Sequence, residues 1–343
     1  MRTSDFHYDL PLQFIAQTPA EPRDHSRLMV LDRYSGEWQH RRFFEIGEFL
    51  RPGDLLVFNQ SKVFRARLLI EVFGKKLELF FLRCRVSDPS NSIWEILARP
   101  GKRLSVGQSI ELSTDLRLTI LSKEESGVFT VQVNCSSDQV LDFLETHGEV
   151  PLPPYIEKTD SGSAAYQTVY AKDVGSVAAP TAGFHFTDRL LEELKGKGIQ
   201  TAFVTLHVGI GTFVPVKTQT LEEHVMHSEY VSLSKETVEA IQKTKGEGQR
   251  VIAVGTTTVR VLEGVTLTMG TLQPYEGDIN IFIKPGFQFQ VIDGLITNFH
   301  LPKSTLLALV SAFAGREQIL AAYEEAKREG YRFFSFGDGM FVM

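Results

Sequence analysis

Between residues 66 and 134 apolar and polar positions alternate in six short runs: ARLLIEVFG (66–74), KKLELFFLRCRV (75–86), SIWEILARP (92–100), QSIELS (108–113), LRLTILS (116–122) and VFTVQVN (128–134). Gly74, Asp88-Pro89, Pro100-Gly101, Gly107 and Gly127 separate them, so a period of two broken by turn residues predicts strands of a small antiparallel barrel or sandwich. A helical segment, DQVLDFLETHG (138–148), then leads into the proline-rich connector PLPPYIEK (151–158).

After residue 160 the period changes. Thr187 and Ser234 stand where N-caps belong, before TDRLLEELKGKG and SKETVEAIQKTKG, and each helix stops near glycines. QTAFVTLHV (200–208), RVIAVG (250–255) and FQVIDGLIT (289–297) read as strands, and STLLALVSAFAG (304–315) with REQILAAYEEAKREG (316–330) as consecutive helices. SRLMVLDR and DLLVFN near the N-terminus are also strand-like. The expected architecture is therefore an α/β domain formed by residues 1–59 and 138–343, with an inserted, mostly antiparallel β-barrel domain at 60–137.

The charge distribution favours the insertion as a place for phosphate contact. Overall the chain carries −6, yet residues 60–137 hold 12 Lys or Arg against 8 Asp or Glu, or +4, leaving 24 against 34, or −10, elsewhere. With 343 residues the chain is long enough for two domains. No apolar run approaches membrane-spanning length and the N-terminus lacks a signal-peptide pattern, so no membrane association and a cytoplasmic location are expected. Cys84 and Cys135 form no CxxC and are expected to be buried thiols.

Candidate chemistry gathers in segments rich in Gly, Thr, Phe and Pro around four histidines: APTAGFHF (179–186), TLHVGIGTF (205–213), EHVMHSE (223–229) and TNFHLP (297–302). Glycines there permit unusual backbone geometry or close ligand approach, and His and Thr supply donors and acceptors near neutral pH. Gly209-Ile210-Gly211 begins a GxGxxG pattern, but Val214 and Pro215 stand where the third glycine and the helix belong, which argues against a dinucleotide fold. GxSxG and the phosphate-binding P-loop are absent. His224 and His227 invite a metal reading, but HExxH is not present and no metal is expected. VGTTTVRVLE (254–263) reads as strand, tight turn and helix start, either a ligand cradle or a helix capped by a threonine.

Together with IAQTPAEPRDHSRLMVLDR, PGDLLVFNQSKV, RPGKRL, HGEVPLPPYI, YQTVYA, FIKPGF and YRFFSFGDGM, these motifs run in order from residue 14 to the C-terminus. In that order they resemble the S-adenosylmethionine:tRNA ribosyltransferase-isomerase family of queuosine biosynthesis. Gln60, Phe184, Ile210 and Gly339 depart mildly from the family pattern. The resemblance implies an α/β domain with an inserted β-barrel, no metal, and S-adenosylmethionine as a ribosyl-donating co-substrate. It implies transfer to 7-aminomethyl-7-deazaguanine at the tRNA wobble position, giving epoxyqueuosine-tRNA, adenine and methionine, and a monomeric enzyme is expected.

That chemistry requires a base to take a C5′ proton beside the sulfonium, forming an ylide, an acid to assist the departing adenine, and an unprotonated acceptor amine. The titratable groups of the motifs give His207 or His185 as base, and Glu229, His227 and Asp338 as acid or amine-orienting groups. Thr181, Gly183, Phe184, Gly209, Gly211, Thr212, Phe213, Thr256, Thr257, Arg260, Asn298 and His300 are the expected co-substrate contacts. Within that set Thr256, Thr257 and Arg260 suit the methionine carboxylate or ribose and Asn298 the base edge, while a carboxylate or aromatic faces such as Phe213 and, outside the set, Phe299 suit the sulfonium. Arg99, Lys102 and Arg103 are the expected tRNA contacts on the insertion.

Overall fold

A computed structural model describes residues 1–72, 74–156, 165–209 and 216–343, which divide into two compact units. The larger comprises Met1–Ser61, Pro153–Asp173 and Ala179–Met343; the smaller comprises Lys62–Leu152 and Val174–Ala178.

The larger unit is built on a nine-stranded mixed sheet. Its strands in chain order are β1 (Arg27–Leu31), β2 (Trp38–Arg42), β3 (Leu55–Asn59), β4 (Gln200–Leu206), β5 (Glu229–Leu233), β6 (Val251–Val254), β7 (Tyr275–Ile279), β8 (Gly294–Asn298) and β9 (Gly339–Val342). They lie side by side as β7-β5-β4-β3-β6-β8-β9-β1-β2. The four central strands β4, β3, β6 and β8 are mutually parallel, while β5 and β9 run antiparallel to them at either flank.

Every residue of β3, β6, β8 and β9 is buried, as expected for strands covered on both faces. On one face Leu56, Phe58, Ile252, Val254, Ile296 and Phe341 form a core with Leu190 and Leu194 of a helix at Asp188–Gly196. A second helix, Thr256–Met269, packs over β3, β4 and β6. Thr187 and Ser234 cap their helices as the sequence suggests, accepting bonds from the Leu190 and Thr237 amides. Residues Thr305–Ala314 and Arg316–Arg328 are the two expected consecutive helices, turning at Gly315, whose φ of +88° suits glycine. Among the described residues no single helix is long and apolar enough to cross a membrane.

The smaller unit contains the six expected strands, Arg67–Val72, Lys75–Ser87, Ser92–Arg99, Ser109–Glu111, Arg117–Lys123 and Val128–Val133, in one antiparallel sheet. Leu68 and Ile110, from its two edge strands, belong to the same core as Phe81, Trp94 and Val131, so the sheet curls around its own interior as a nearly closed barrel. The boundary lies later than expected. The helix Ser137–His147 buries Val140 and Leu144 in this barrel core, and so belongs to the smaller unit rather than to the α/β unit. Its amphipathic face, not its place after the last strand, decides its allegiance. Cys135 is buried as expected, but Cys84 is only half-buried.

Leu144→Ala is expected to cost about 2–5 kcal/mol by opening a cavity. Glu145→Ala, whose side chain is exposed beside Arg65, should stay within about 0.5 kcal/mol. Urea unfolding of both variants checks this; equal effects would mean that the helix does not support the barrel core.

Candidate active site

The strand directions bring one end of β3, β4, β6 and β8 together with the starts of β1, β5 and β9. Along this edge lie Ser26, Asn59, His207, Gly209, Glu229, Gly255, Asn298 and Asp338, contributed by segments far apart in sequence. Ligands of open α/β sheets bind outside the carboxyl ends of parallel strands, where chain reversals leave polar groups available.

Asn59 fixes the middle of the edge. Fully buried, it donates from Nδ2 to the Leu206 carbonyl at 3.1 Å, while its Oδ1 accepts from the Leu206 and Ser61 amides at 3.0 and 3.1 Å. These bonds set the exit of β4 and hence the position of His207. The His207 amide donates to the Tyr230 carbonyl at 3.0 Å, and its ring stacks on Tyr230 with centroids 5.4 Å apart. Burial lowers the His207 pKa to about 4, partly opposed by Asp173, so the ring is neutral at physiological pH. Its Nδ1 is buried and has no partner among the described residues. Asp173 is itself held by Gln60 Nε2 at 2.9 Å and by the Thr205 hydroxyl.

His185 occupies a different environment. It ends the helical turn Thr181–His185, stacks on Phe43 at 4.7 Å and contacts Ser26 Oγ through Nδ1 at 2.7 Å and Asn298 Nδ2 through Nε2 at 3.2 Å. Asn298 Oδ1 in turn accepts from Thr181 Oγ1 at 3.2 Å. Burial, reinforced by Arg332 and Arg23, lowers the His185 pKa to about 3. Both ring nitrogens are therefore engaged, in contrast to His207. Ser26 has no signal in the sequence: it lies 159 residues before His185, and only the strand order makes them neighbours.

The cradle at residues 254–263 resolves in favour of glycine as the cap. Gly255, at φ +90°, precedes the helix Thr256–Met269 and offers no side-chain bond to its first turn, so the anticipated threonine cap is not used. Thr258 Oγ1 turns back to the Val254 carbonyl at 2.8 Å, and Thr256 is buried. Thr257 Oγ1 is buried without a partner among the described residues. One turn later Arg260, about 5% exposed, forms an ion pair through Nη1 with the equally buried Glu229. The Gly209 amide also points at Glu229, 3.5 Å from Oε1, and a Cβ added to Gly209 would meet nothing within 4 Å.

Other expected residues have different surroundings. His227 is exposed, and His224 packs edge-on to Phe282. Asp338 accepts from the Arg27 and Arg332 amides at 2.9 and 2.8 Å and lies beside the Arg332 guanidinium, so its carboxylate joins β1 to the loop before β9. His300 Nε2 meets Thr297 Oγ1 at 2.8 Å, its amide donates to the Tyr323 hydroxyl, its carbonyl accepts from the Tyr8 hydroxyl, and burial lowers its pKa to about 3. Gly183 leaves room for the Tyr170 hydroxyl rather than for a ligand, since a Cβ there would collide with it. Phe184 packs between Tyr166 and Phe336, and Phe299 is fully buried among Tyr323, Tyr331 and Phe333, so neither ring offers a free face. Gly211, Thr212 and Phe213 lie outside the described residues. Among the described residues no group of three His, Cys, Asp or Glu side chains is placed to hold a metal ion.

Comparison with known proteins places this geometry in a lineage. Two relatives named S-adenosylmethionine:tRNA ribosyltransferase-isomerase, from Acetivibrio thermocellus and Desulfitobacterium hafniense, are each 49% identical, with all of both chains covered. The crystal structure of an S-adenosylmethionine tRNA ribosyltransferase from Thermotoga maritima is 39% identical, with a TM-score of 0.57 covering 99% of this chain and 100% of that one. The sequence profile described as Queuosine biosynthesis protein matches residues 3–342. By that near-complete match the chain belongs to the queuosine biosynthesis protein family.

Proposed function

We propose that this chain transfers and isomerises the ribosyl moiety of S-adenosylmethionine onto 7-aminomethyl-7-deazaguanine at the wobble position of tRNA, with epoxyqueuosine-tRNA, adenine and methionine as products. The observation that carries this reading is full-length relatedness, at 49% identity, to enzymes named S-adenosylmethionine:tRNA ribosyltransferase-isomerase. The chemistry of the sheet edge supports it. Buried donors and acceptors without partners among the described residues, His207 Nδ1, Thr257 Oγ1 and two nitrogens of Arg260, suit a polar ligand, since leaving such groups unmatched is costly.

When bound, the sulfonium makes the adjacent ribose hydrogens acidic and provides the ribosyl group. His207 is the base in this proposal: it is neutral at pH 7, and its Nδ1 is unengaged among the described residues. His185, bound at both nitrogens, orients Asn298 and Thr181 instead. Asp338 is committed to backbone amides and serves the loop geometry, and exposed His227 remains available to the tRNA side of the reaction.

The tRNA is proposed to meet the smaller unit at its RPGKR turn. Arg103 reaches the Lys76 carbonyl and Lys123 the Gly101 carbonyl, both at 3.4 Å, which gathers Lys76, Lys102, Arg103 and Lys123 around one turn. Arg99, Lys102 and Arg103 are exposed. Such a cationic turn favours a phosphate backbone through counterion release.

His207→Gln should lower adenine release in the presence of tRNA bearing the aminomethyl base by about 100-fold or more, and should cost more than His185→Gln. Near-wild-type release would remove His207 as the base. Because burial penalises the cation, the His207 ring should remain neutral from pH 7 down to about pH 5, with a midpoint near 4 by NMR titration. A midpoint at the ordinary value of about 6.5 would contradict this environment. Joint replacement of Arg99, Lys102 and Arg103 by Ala should weaken tRNA binding and flatten its salt dependence by roughly two units of slope. An unchanged slope would locate the phosphate contacts elsewhere.

A further inference from the structure

The largest cluster of unmatched buried donors in the α/β unit belongs to Arg260. Glu229 engages Nη1, whereas Nε and Nη2 are shut from solvent and have no partner among the described residues. Those two nitrogens form one edge of the guanidinium plane, with two N–H bonds pointing the same way, the arrangement that grips a carboxylate or phosphate bidentately. Glu229 anchors the other side, so the open edge is held in a fixed direction.

Two nearby features point to the same ligand chemistry. Thr257 lies three residues before Arg260 and therefore on the same helix face, and its buried Oγ1 also lacks a partner among the described residues. The helix they share, Thr256–Met269, begins at Gly255 without a side-chain cap, leaving its first amides and positive dipole end for an anion. A buried arginine already neutralised by one carboxylate favours a second monoanion over a dianion, because the local charge is then offset by the helix end. A ligand that also carries its own ammonium group costs least.

We infer that the Nε–Nη2 edge of Arg260, with Thr257 Oγ1, is the seat of the α-carboxylate of the co-substrate's amino-acid portion. Glu229 is the group that positions the arginine, not a proton donor. This assignment rests on the proposed function. The atoms of this seat are closed to water in this structure.

The test compares S-adenosylmethionine with decarboxylated S-adenosylmethionine by isothermal titration of the full-length protein, with inorganic phosphate as competitor. The decarboxylated compound should bind wild-type protein about 10- to 100-fold more weakly. Arg260→Gln should weaken S-adenosylmethionine binding by a similar factor and abolish the difference between the two compounds, and Thr257→Val should narrow it. The wild-type comparison requires no variant to fold, and circular dichroism establishes whether Arg260→Gln has folded. Equal binding of the two compounds to wild-type protein, or persistence of the difference in folded Arg260→Gln, would overturn the carboxylate assignment. Displacement of S-adenosylmethionine by millimolar phosphate would overturn it in favour of a phosphate seat. Adenine release measured in parallel separates the two levels: release with equal affinities defeats the seat alone, whereas no release with modified tRNA defeats the proposed function and the seat together.

Discussion

Four parallel strands that end together impose the constraint on which the candidate site depends. A strand that stops leaves its next amide and carbonyl without ladder partners, and four stopping side by side create a row of such groups along one edge. Asn59 satisfies part of that row by bonding both backbone groups of Leu206, and in doing so determines where β4 ends and His207 begins. The antiparallel flanking strands bring Glu229 and Asp338 to the same edge from the opposite chain direction. Residues from seven segments are thus assembled by sheet order alone.

Two arginine–carboxylate pairs with buried carboxylates show how differently the ends of this sheet are finished. Beside the starts of β3 and β6, Arg250 binds both oxygens of Asp54, at 3.1 Å from Nε and 2.5 Å from Nη2, and Asp54 also accepts from the Arg51 amide. That pair is a closed structural clasp. At the opposite ends Arg260 uses one nitrogen on Glu229 and leaves an edge unmatched. Buried charge with incomplete hydrogen bonding lowers stability, so the cost falls where a ligand can offset it.

Much of this was legible in the chain. The two-residue period of 66–134 marked the barrel strands closely, and the caps Thr187 and Ser234 marked helix starts, because both signals are local. The allegiance of the helix Ser137–His147 was not, since position in sequence does not reveal which core its apolar face enters. The site followed the same division. Glycine- and threonine-rich segments pointed to the strand ends, but roles within them depended on partners up to hundreds of residues away. The sequence around Asp338 does not reveal that its carboxylate accepts from the Arg27 amide, 311 residues away. Ser26 and Asn59 are not legible in the sequence because a lone Ser or Asn carries no pattern, and the enclosure of Phe299 depends on Tyr323, Tyr331 and Phe333, whose approach the sequence does not show.

The strand β9 gives this assembly an order in time. Residues 339–342 lie between β8 and β1, so among the described residues the β1–β2 ribbon joins the parallel strands through a segment more than 290 positions later in the chain than β2. During synthesis, with the N-terminal part emerging first, β1 and β2 must wait unpaired with the main sheet until residues 339–342 have been made. Ser26, which meets His185, precedes β1 and waits with it. The edge bearing the candidate site therefore cannot be complete on a nascent chain that still lacks residues 338–342, and any such chemistry must await their synthesis.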